Sequence, residues 1–158
     1  MAQRGVEGLT HRAVASAADV PLGSTTYYYA TLDDLLSSAM RIAVQETKQR
    51  LAQWSAGLRP DADLVAALGA YIVELTGTNR EALIVQYELY MAALRRPALG
   101  EVSRAWDGAL SETLAGHTDS ESADVLALVA QALMLHSVTS GTALSSDDVE
   151  PALRRAMR

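Results

Sequence analysis

The chain has 158 residues, a formal net charge of −6 and 49% hydrophobic residues. A hydrophobic fraction of this size supports a folded core, so the composition excludes an intrinsically disordered chain. The sequence contains no cysteine, which excludes a disulfide scaffold and zinc–thiolate centres.

The predicted elements begin with a pair of helices in residues 9–36. Thr10 is placed to cap the first helix, because its side-chain oxygen can accept an unpaired N–H of the first turn. That helix ends before Pro21, which cannot donate a helical hydrogen bond and disfavours a helical residue before it. A second short helix is predicted over residues 22–29, with small residues in its first turn and three consecutive tyrosines at its end.

A helix, a tight turn and a second helix with small polar residues at its start form the geometry that enters a DNA major groove. Hydroxyl groups can bond base edges or phosphate oxygens. The residues expected to read bases or to position the second helix are Ser24, Thr25, Thr26 and Tyr28. The residues expected to hold phosphates are Thr10, Tyr27 and Thr31.

The same stretch contains the patterns R-x-V-A-x-x-A, V-x-x-G-S, an aromatic run and T-x-x-x-L-L in one order. Their residues are Arg12, Val14, Ala15, Ala18, Val20, Gly23, Ser24, Tyr27, Tyr28, Tyr29, Thr31, Leu35 and Leu36. This arrangement resembles the DNA-binding domain of TetR-type transcriptional regulators. The resemblance implies double-stranded operator DNA as a partner and adds Arg12 and Gly23 to the expected DNA-binding surface.

The stretch departs from the family pattern at several positions. Thr26 stands where many members have tyrosine, and Tyr28 stands where many have histidine. Leu32 stands where most have a lysine that contacts phosphate. Residues 1–5 resemble the last turn of a preceding helix and its glycine stop. Most of the family's first helix is therefore expected to be missing from this sequence.

The charge is unevenly distributed along the chain. Residues 1–50 contain five basic and five acidic side chains, so the whole net negative charge lies in residues 51–158. A neutral DNA-binding head on an acidic body predicts weak attraction to phosphates.

The rest of the chain is predicted to be helical, because apolar residues recur at three-to-four spacing and no strand pattern stands out. Thr31 and Asp34 form a predicted capping box for a long helix, and Asp61 is predicted to cap the next one. The predicted helices cover residues 32–56, 62–76, 80–96, 99–115, 122–142 and 147–157. The expected fold is all-α, with an incomplete helix-turn-helix head on a larger helical body.

The helix predicted over residues 122–142 is apolar around its whole circumference. Such a helix must be covered on both sides. One side can pack on its own body, and we expect a second copy of the chain on the other. This helix and the last helix, paired with the same two helices of a second copy, predict a homodimer with a four-helix interface. The resemblance to TetR-type regulators implies the same interface.

Aromatic and methionine side chains on the body helices predict either plain core packing or an apolar ligand cavity. The resemblance favours a cavity, since TetR-type bodies usually hold a small-molecule effector. The residues expected to line it are Trp54, Tyr71, Tyr87, Tyr90, Met91, Trp106 and Met134, with Gln86, Glu88, Gln131 and His136 as polar candidates. A buried Glu88 would favour a cationic or hydroxylated ligand. The alternative is a solvated Glu88 paired with Arg95 or Arg96.

Other functional classes lack support in the sequence. The three histidines have no metal-ligand spacing, and no catalytic or phosphate-loop motif is present. We therefore expect no metal, no cofactor and no enzymatic activity. No apolar run stands out as a membrane span and no signal pattern precedes the helices, so we expect a cytoplasmic protein without a membrane partner.

The leading hypothesis is a ligand-responsive transcriptional regulator, more often a repressor, that binds operator DNA as a dimer. Residues 1–36 would be its DNA-binding domain, and residues 37–158 its ligand-binding and dimerisation domain. The alternative is a helical dimer that binds a ligand or a protein and does not bind DNA as truncated. The truncated start and the acidic balance of the chain favour that alternative.

Overall fold

The structure is a computed structural model that describes residues 8–158. The expected remnant of a first helix, at residues 1–5, lies outside the described residues. Within residues 8–158 the chain forms eight α-helices and one short 3-10 helix, and no strand. The all-α prediction is confirmed.

The helices follow one another with short connections. They are α1 (His11–Ala17), α2 (Leu22–Tyr28), α3 (Leu32–Ala56), α4 (Leu64–Thr76), α5 (Arg80–Ala93), α6 (Gly100–Leu114), α7 (Ser120–Ser140) and α8 (Ser146–Ala156), with the 3-10 helix Pro97–Leu99 before α6.

Two predicted helix starts are confirmed. The Thr10 hydroxyl oxygen accepts the N–H of Ala13 at 3.1 Å, which caps α1. At the start of α3, Thr31 Oγ1 accepts the N–H of Asp34 at 3.1 Å, and Asp34 Oδ2 accepts the N–H of Thr31 at 2.9 Å. These caps satisfy backbone donors that have no partner inside a helix.

Other predicted boundaries are wrong by a few residues. Asp63, not Asp61, caps α4, and its Oδ1 accepts the N–H groups of Val65 and Ala66. Helix α5 ends at Ala93, because Pro97 starts a 3-10 helix and the segment before it leaves the α-helical conformation.

The apolar interior is divided into two clusters. The larger lies among α4, α6, α7 and α8 and takes in Leu51 of α3. The smaller lies where the short helices meet the body: Leu9, Leu35 and Leu36 pack there with Leu89 of α5 and with Leu99. Helix α3 contributes to both clusters, so it joins the N-terminal helices to the body.

Helix α7 is long and apolar enough to cross a membrane by length and composition, contrary to the sequence expectation. It is also a core helix of this fold: Ala123, Leu126 and Ala130 are fully buried. Core helices of globular proteins meet the same length and hydropathy criterion. Its apolar inner face is therefore explained by packing inside the chain.

Candidate functional site

The first candidate site is the helical pair formed by α1 and α2. The turn between them, residues 18–21, is tight because Asp19 adopts a left-handed backbone conformation with φ of 53°. Aspartate tolerates this region better than most residues. Pro21 precedes α2 with φ of −58° and ends any continuation of α1.

Thr25 fixes how the two helices meet. Its side chain is only 6% exposed, and its hydroxyl donates to the carbonyl of Leu22 at 2.8 Å and lies 3.4 Å from the carbonyl of His11 in α1. Thr25 therefore faces α1 and not the outer surface. This placement corrects the expectation that Thr25 reads bases.

The outer face of α2 carries the other predicted residues. Tyr27 and Tyr28 are 83% and 76% exposed, and their rings meet edge to face with centroids 5.2 Å apart. Gly23 and Thr26 are exposed and Ser24 is half-buried. A Cβ added to Gly23 would meet no heavy atom within 4 Å. Packing within the described part of the chain therefore does not require glycine at this position.

The predicted phosphate-binding hydroxyls of Thr10 and Thr31 are exposed but already bonded. Each caps a helix, and the Thr31 hydroxyl donates to Asp34 Oδ2 at 2.8 Å. Hydrogen bonds from Thr31 hold the pKa of the Asp34 carboxyl below its usual value. Asp34 is thus an anion at the surface where a phosphate is expected.

Positive charge is sparse on this surface. Arg12 is exposed and is the only lysine or arginine in residues 8–40. Leu32, at the start of α3, is 37% exposed and adds no charge where the family has lysine. The head therefore offers hydroxyl, aromatic and backbone groups with few cations.

The second candidate site is a cavity of about 320 Å³ in the body. It lies between α3, α4, α5, α6 and α7, and exposed residues on its rim leave it open on one side. Its lining residues are Thr47, Arg50, Leu51, Tyr71, Leu75, Leu83, Gln86, Tyr87, Tyr90, Met91, Trp106, Asp107, Ala109, Leu110, Leu128, Gln131, Ala132, Met134 and Leu135.

Much of the predicted lining is where it was expected. The predicted pocket residues that line the cavity are Tyr71, Tyr87, Met91, Trp106 and Met134, joined by Tyr90, Gln86 and Gln131. Trp54 is one layer behind the wall, with its ring 5.4 Å from that of Tyr71.

Glu88 and His136 do not line the cavity. On α5 the lining positions are 83, 86, 87, 90 and 91, which share one helical face, and Glu88 lies off that face. His136 is exposed on α7. Arg96, suggested as a partner of Glu88, instead pairs with Asp33 at 2.8 Å. The expectation of Glu88 as the cavity carboxylate is therefore wrong.

The carboxylate at the cavity is Asp107 of α6. Its Oδ2 accepts the hydroxyl hydrogen of Tyr90 at 3.2 Å, and its backbone carbonyl accepts the side-chain amide of Gln131 at 3.2 Å. Asp107 is exposed, so it stands at the rim. No local sequence signal identifies Asp107, because Glu88 also directly follows a cavity-lining aromatic residue and does not line the cavity.

The tyrosines of the wall are neutral donors. Burial raises the pKa of Tyr87 to about 12, and its hydroxyl donates to the carbonyl of Gln131 at 3.1 Å. Burial, and then the hydrogen bond to Asp107, raise the pKa of Tyr90. The cavity can therefore offer aromatic surface, neutral hydroxyls and one carboxylate to a ligand.

The described part of the chain contains no set of side chains placed to bind a metal ion. No three or more of the histidine, aspartate and glutamate side chains in residues 8–158 are grouped as metal ligands. The polar groups at the cavity are thus suited to binding by hydrogen bonds, charge and aromatic contact.

Comparison with known proteins gives one consistent result. Residues 59–158 match the family described as Tetracyclin repressor-like, C-terminal domain. A TetR-family member from Streptomyces coelicolor A3, SCO1917, is 40% identical with a TM-score of 0.85, over 99% of this chain and 90% of that one. The multidrug binding protein EbrR, complexed with ethidium, is 40% identical with a TM-score of 0.86, over 98% of this chain and 90% of its own.

A more distant structure has the same fold. SCO7518 from Streptomyces coelicolor A3(2) is 26% identical with a TM-score of 0.85, over 98% of this chain and 90% of that one. None of the curated proteins matches the chain.

Proposed function

Because the chain belongs to the TetR family of transcriptional regulators, we propose that it is a cytoplasmic repressor that binds operator DNA as a homodimer. A small aromatic molecule in the body cavity would release it from the DNA. One observation carries this proposal: α3 runs from the outward-facing helical pair to the cavity. Helix α3 contributes Leu35 and Leu36 to the smaller apolar cluster, and it contributes Arg50 and Leu51 to the cavity wall.

The DNA-binding part of the proposal rests on the exposed face of α2. Two heads would enter successive major grooves of a near-palindromic operator, with half-sites about 34–36 Å apart. Gly23 would let the backbone approach the DNA, and Thr26 and Tyr28 would contact bases or position the helix. Thr10, Arg12, Tyr27 and Thr31 would contact phosphates, with Ser24 at the edge of the same face. Residues 1–36 would form this head and 37–158 the body, with α3 shared between them.

Dimerisation would use α7 and α8. Leu128 is 67% exposed in the middle of α7, on a helix whose opposite face is fully buried. A large exposed apolar residue in such a place favours an isologous contact with a second copy. Helices α7 and α8 pack on each other, so the same contact would include α8 and form a four-helix interface.

The proposed effector is a planar aromatic cation. The cavity walls include Tyr87, Tyr90 and Trp106, whose faces attract cations, and Asp107 supplies a negative charge at the rim. The similar protein EbrR is described in complexes with ethidium, proflavin and malachite green. These compounds share an aromatic system and a positive charge.

Release from DNA would follow from a population shift. A ligand can change the equilibrium only if it binds one arrangement of the chain better than the other. A molecule that pushes on Arg50 and Leu51 moves the same helix that carries Leu35 and Leu36 under the head. In the arrangement that the ligand prefers, the distance between the two heads would not match the distance between the operator half-sites.

A binding titration tests the effector proposal without DNA. Ethidium fluorescence should rise on transfer to the apolar cavity, with saturation at about one dye per chain. Replacement of Gln86 by tryptophan, which puts a bulky ring in the cavity, should abolish the rise. A dye signal that is unchanged in folded Gln86→Trp protein would contradict binding in this cavity.

A ligand-binding dimer without DNA-binding activity is the second candidate. The specific observation in its favour is the charge of the head, where Arg12 stands against Asp19, Asp33 and Asp34 in residues 8–36. The two candidates differ in one result: only the repressor binds duplexes from neighbouring intergenic DNA in preference to unrelated duplexes.

A further inference from the structure

The cavity contains a second polar group, separate from Asp107 and opposite to it in charge. It is formed by Arg50 and Thr47 on α3 and Gln86 on α5. The Arg50 Nη2 donates to Thr47 Oγ1 at 3.2 Å, and the Gln86 amide donates to the same oxygen at 3.1 Å. All three line the cavity.

Arg50 is incompletely bonded. Its Nε is buried and has no hydrogen-bond partner in the described part of the chain. The ion pairs formed by residues 8–158 do not include Arg50, so no carboxylate of these residues lies within 4.0 Å of its guanidinium. A buried donor without an acceptor is costly, and more so when it is charged.

Arg80 shows that this fold can satisfy a part-buried arginine. Its two terminal nitrogens donate to the Ser137 hydroxyl at 3.0 Å, to the Ser137 carbonyl at 3.0 Å and to the Val138 carbonyl at 3.4 Å. Arg50 instead donates to the Thr47 hydroxyl of its own helix and interacts with the Tyr71 hydroxyl, with no carbonyl or carboxylate partner among residues 8–158. Because Arg50 lines the cavity, a bound molecule can place an acceptor against its guanidinium.

The neighbours of Arg50 favour the same kind of group. The Thr47 hydroxyl oxygen already accepts two hydrogen bonds, and its own hydrogen is available as a donor. Burial raises the pKa of the Tyr71 hydroxyl, whereas the positive charge of Arg50 and its hydrogen bond to Tyr71 act in the opposite direction. This part of the wall therefore presents donors and positive charge.

We infer that Arg50, with Thr47 and Gln86, forms a subsite for a carboxylate or another strong acceptor on an aromatic ligand. The inference rests on the proposed effector cavity and extends its ligands from aromatic cations to aromatic acids and zwitterions. A planar guanidinium suits this role, because it can donate two parallel hydrogen bonds to a carboxylate.

Methyl red and methyl yellow are a matched pair of probes. The two dyes have the same aminoazobenzene frame, and methyl red alone carries a carboxylate. We expect the unaltered protein to bind methyl red about tenfold more tightly than methyl yellow, because a charge-assisted bond in a desolvated site has about that value. Calorimetric titration measures both affinities.

Arg50→Gln should remove this preference by lowering the affinity for methyl red about tenfold, to that for methyl yellow. Arg41→Gln is the matched control, since Arg41 is exposed on the same helix, and it should keep the preference. Circular dichroism checks that each variant folds. The comparison of the two dyes in the unaltered protein needs no variant at all.

The outcomes separate this inference from the proposed function. Equal affinities for the two dyes, with ethidium still bound, would overturn the Arg50 subsite and leave the cationic effector standing. A preference for methyl red that persists in folded Arg50→Gln protein would also overturn it. If none of the three dyes bound the unaltered protein, the effector cavity and the subsite would both be refuted.

Discussion

Thr25 and Thr26 are adjacent residues of one type, yet their surroundings differ completely. Thr25 is buried against α1, whereas Thr26 is exposed and its hydroxyl bonds only carbonyls of its own helix. One residue of helical rotation, about 100°, separates a packing contact from a solvent-exposed position. The proposed DNA-binding surface therefore uses the exposed residues Gly23, Thr26, Tyr27 and Tyr28 and leaves Thr25 out.

Gly23→Ala should separate folding from DNA binding. Alanine is favoured over glycine in a helix by up to about 1 kcal/mol, and the added Cβ meets no heavy atom of residues 8–158 within 4 Å. The melting midpoint should therefore stay constant or rise, while affinity for operator DNA falls because the methyl group stands between backbone and groove. Thermal melting and anisotropy on labelled duplex measure the two effects. Unchanged DNA affinity would show that Gly23 is not at the interface.

Asp107→Asn should weaken binding of cationic dyes by about three- to fivefold, the range expected for an exposed charge pair. Ethidium fluorescence titration measures the change. Glu88→Gln is the control, because Glu88 lies off the cavity-lining face of α5 and should have no effect. Equal losses in the two variants would indicate a general effect of negative charge and not a site.

At the scale of elements, the helix starts depend on acidic side chains. Asp34, Asp63, Asp119 and Asp148 each accept hydrogen bonds at the start of a helix. These bonds, with Arg154 as the largest contributor at Asp63, lower the pKa of each carboxyl from its usual value.

This pattern predicts acid sensitivity. A carboxyl whose pKa is lower in the folded state stabilises the fold above its unfolded pKa, and the stabilisation disappears as pH falls through the folded pKa. The melting midpoint should therefore be constant near neutrality and fall below about pH 4. Thr31→Ala should lower it at neutral pH by about 3 °C through loss of one cap. A midpoint that rises on acidification would contradict this account.

Helix α3 connects the two candidate sites. Its first turns pack in the smaller apolar cluster with Leu89 and Leu99, and its later turns form part of the cavity wall. An ion pair from Arg96 to Asp33 also ties the end of α5 to the start of α3 at 2.8 Å. The pair is partly exposed and contributes little to stability, but it places the loop after α5 directly on the head.

At the scale of the whole molecule, the proposed homodimer would use the exposed face of α7. Leu128→Glu should convert a dimer into a monomer, because it places two charges at the centre of a twofold apolar contact. Leu94→Glu is the matched control: Leu94 is 64% exposed and directly follows the last residue of α5. Sedimentation velocity gives the masses. Monomers from both variants, or from neither, would contradict the proposed interface.

The charge of the molecule predicts an unusual salt dependence. With Arg12 as the only lysine or arginine in residues 8–40, a dimer would neutralise few phosphates. The slope of log affinity against log salt should be about −2 to −4. Anisotropy at a series of salt concentrations measures it, and a slope steeper than about −8 would require cations that the proposed contacts do not include.

The helical fold was largely predictable from the sequence, because helix starts and apolar spacing are local signals. Thr10 and the pair Thr31–Asp34 were recognised as caps for this reason. Asp61 and Asp63 illustrate the limit, since both precede the same helix and only the packed structure selects between them. Breaks at Pro21 and Pro97 were visible in the same local way.

The sites were less predictable, because they depend on how helices rotate against one another. Glu88 and Asp107 are both acidic and both follow an aromatic residue, Tyr87 or Trp106. Their difference arises from the phase of α5 and α6 around the cavity, which no local pattern encodes. Arg50 was overlooked for a similar reason, since its lack of an acceptor is a property of the packed interior.

The measurement that tests the central claim most directly is release of the protein from operator DNA by a cavity ligand. Fluorescence anisotropy with a duplex from neighbouring intergenic DNA would follow addition of malachite green, with Gln86→Trp protein as the control. We predict that the unaltered protein binds the duplex and leaves it on saturation with dye, whereas Gln86→Trp protein stays bound. Folded protein that binds no such duplex, or equal release of both proteins, would contradict the account.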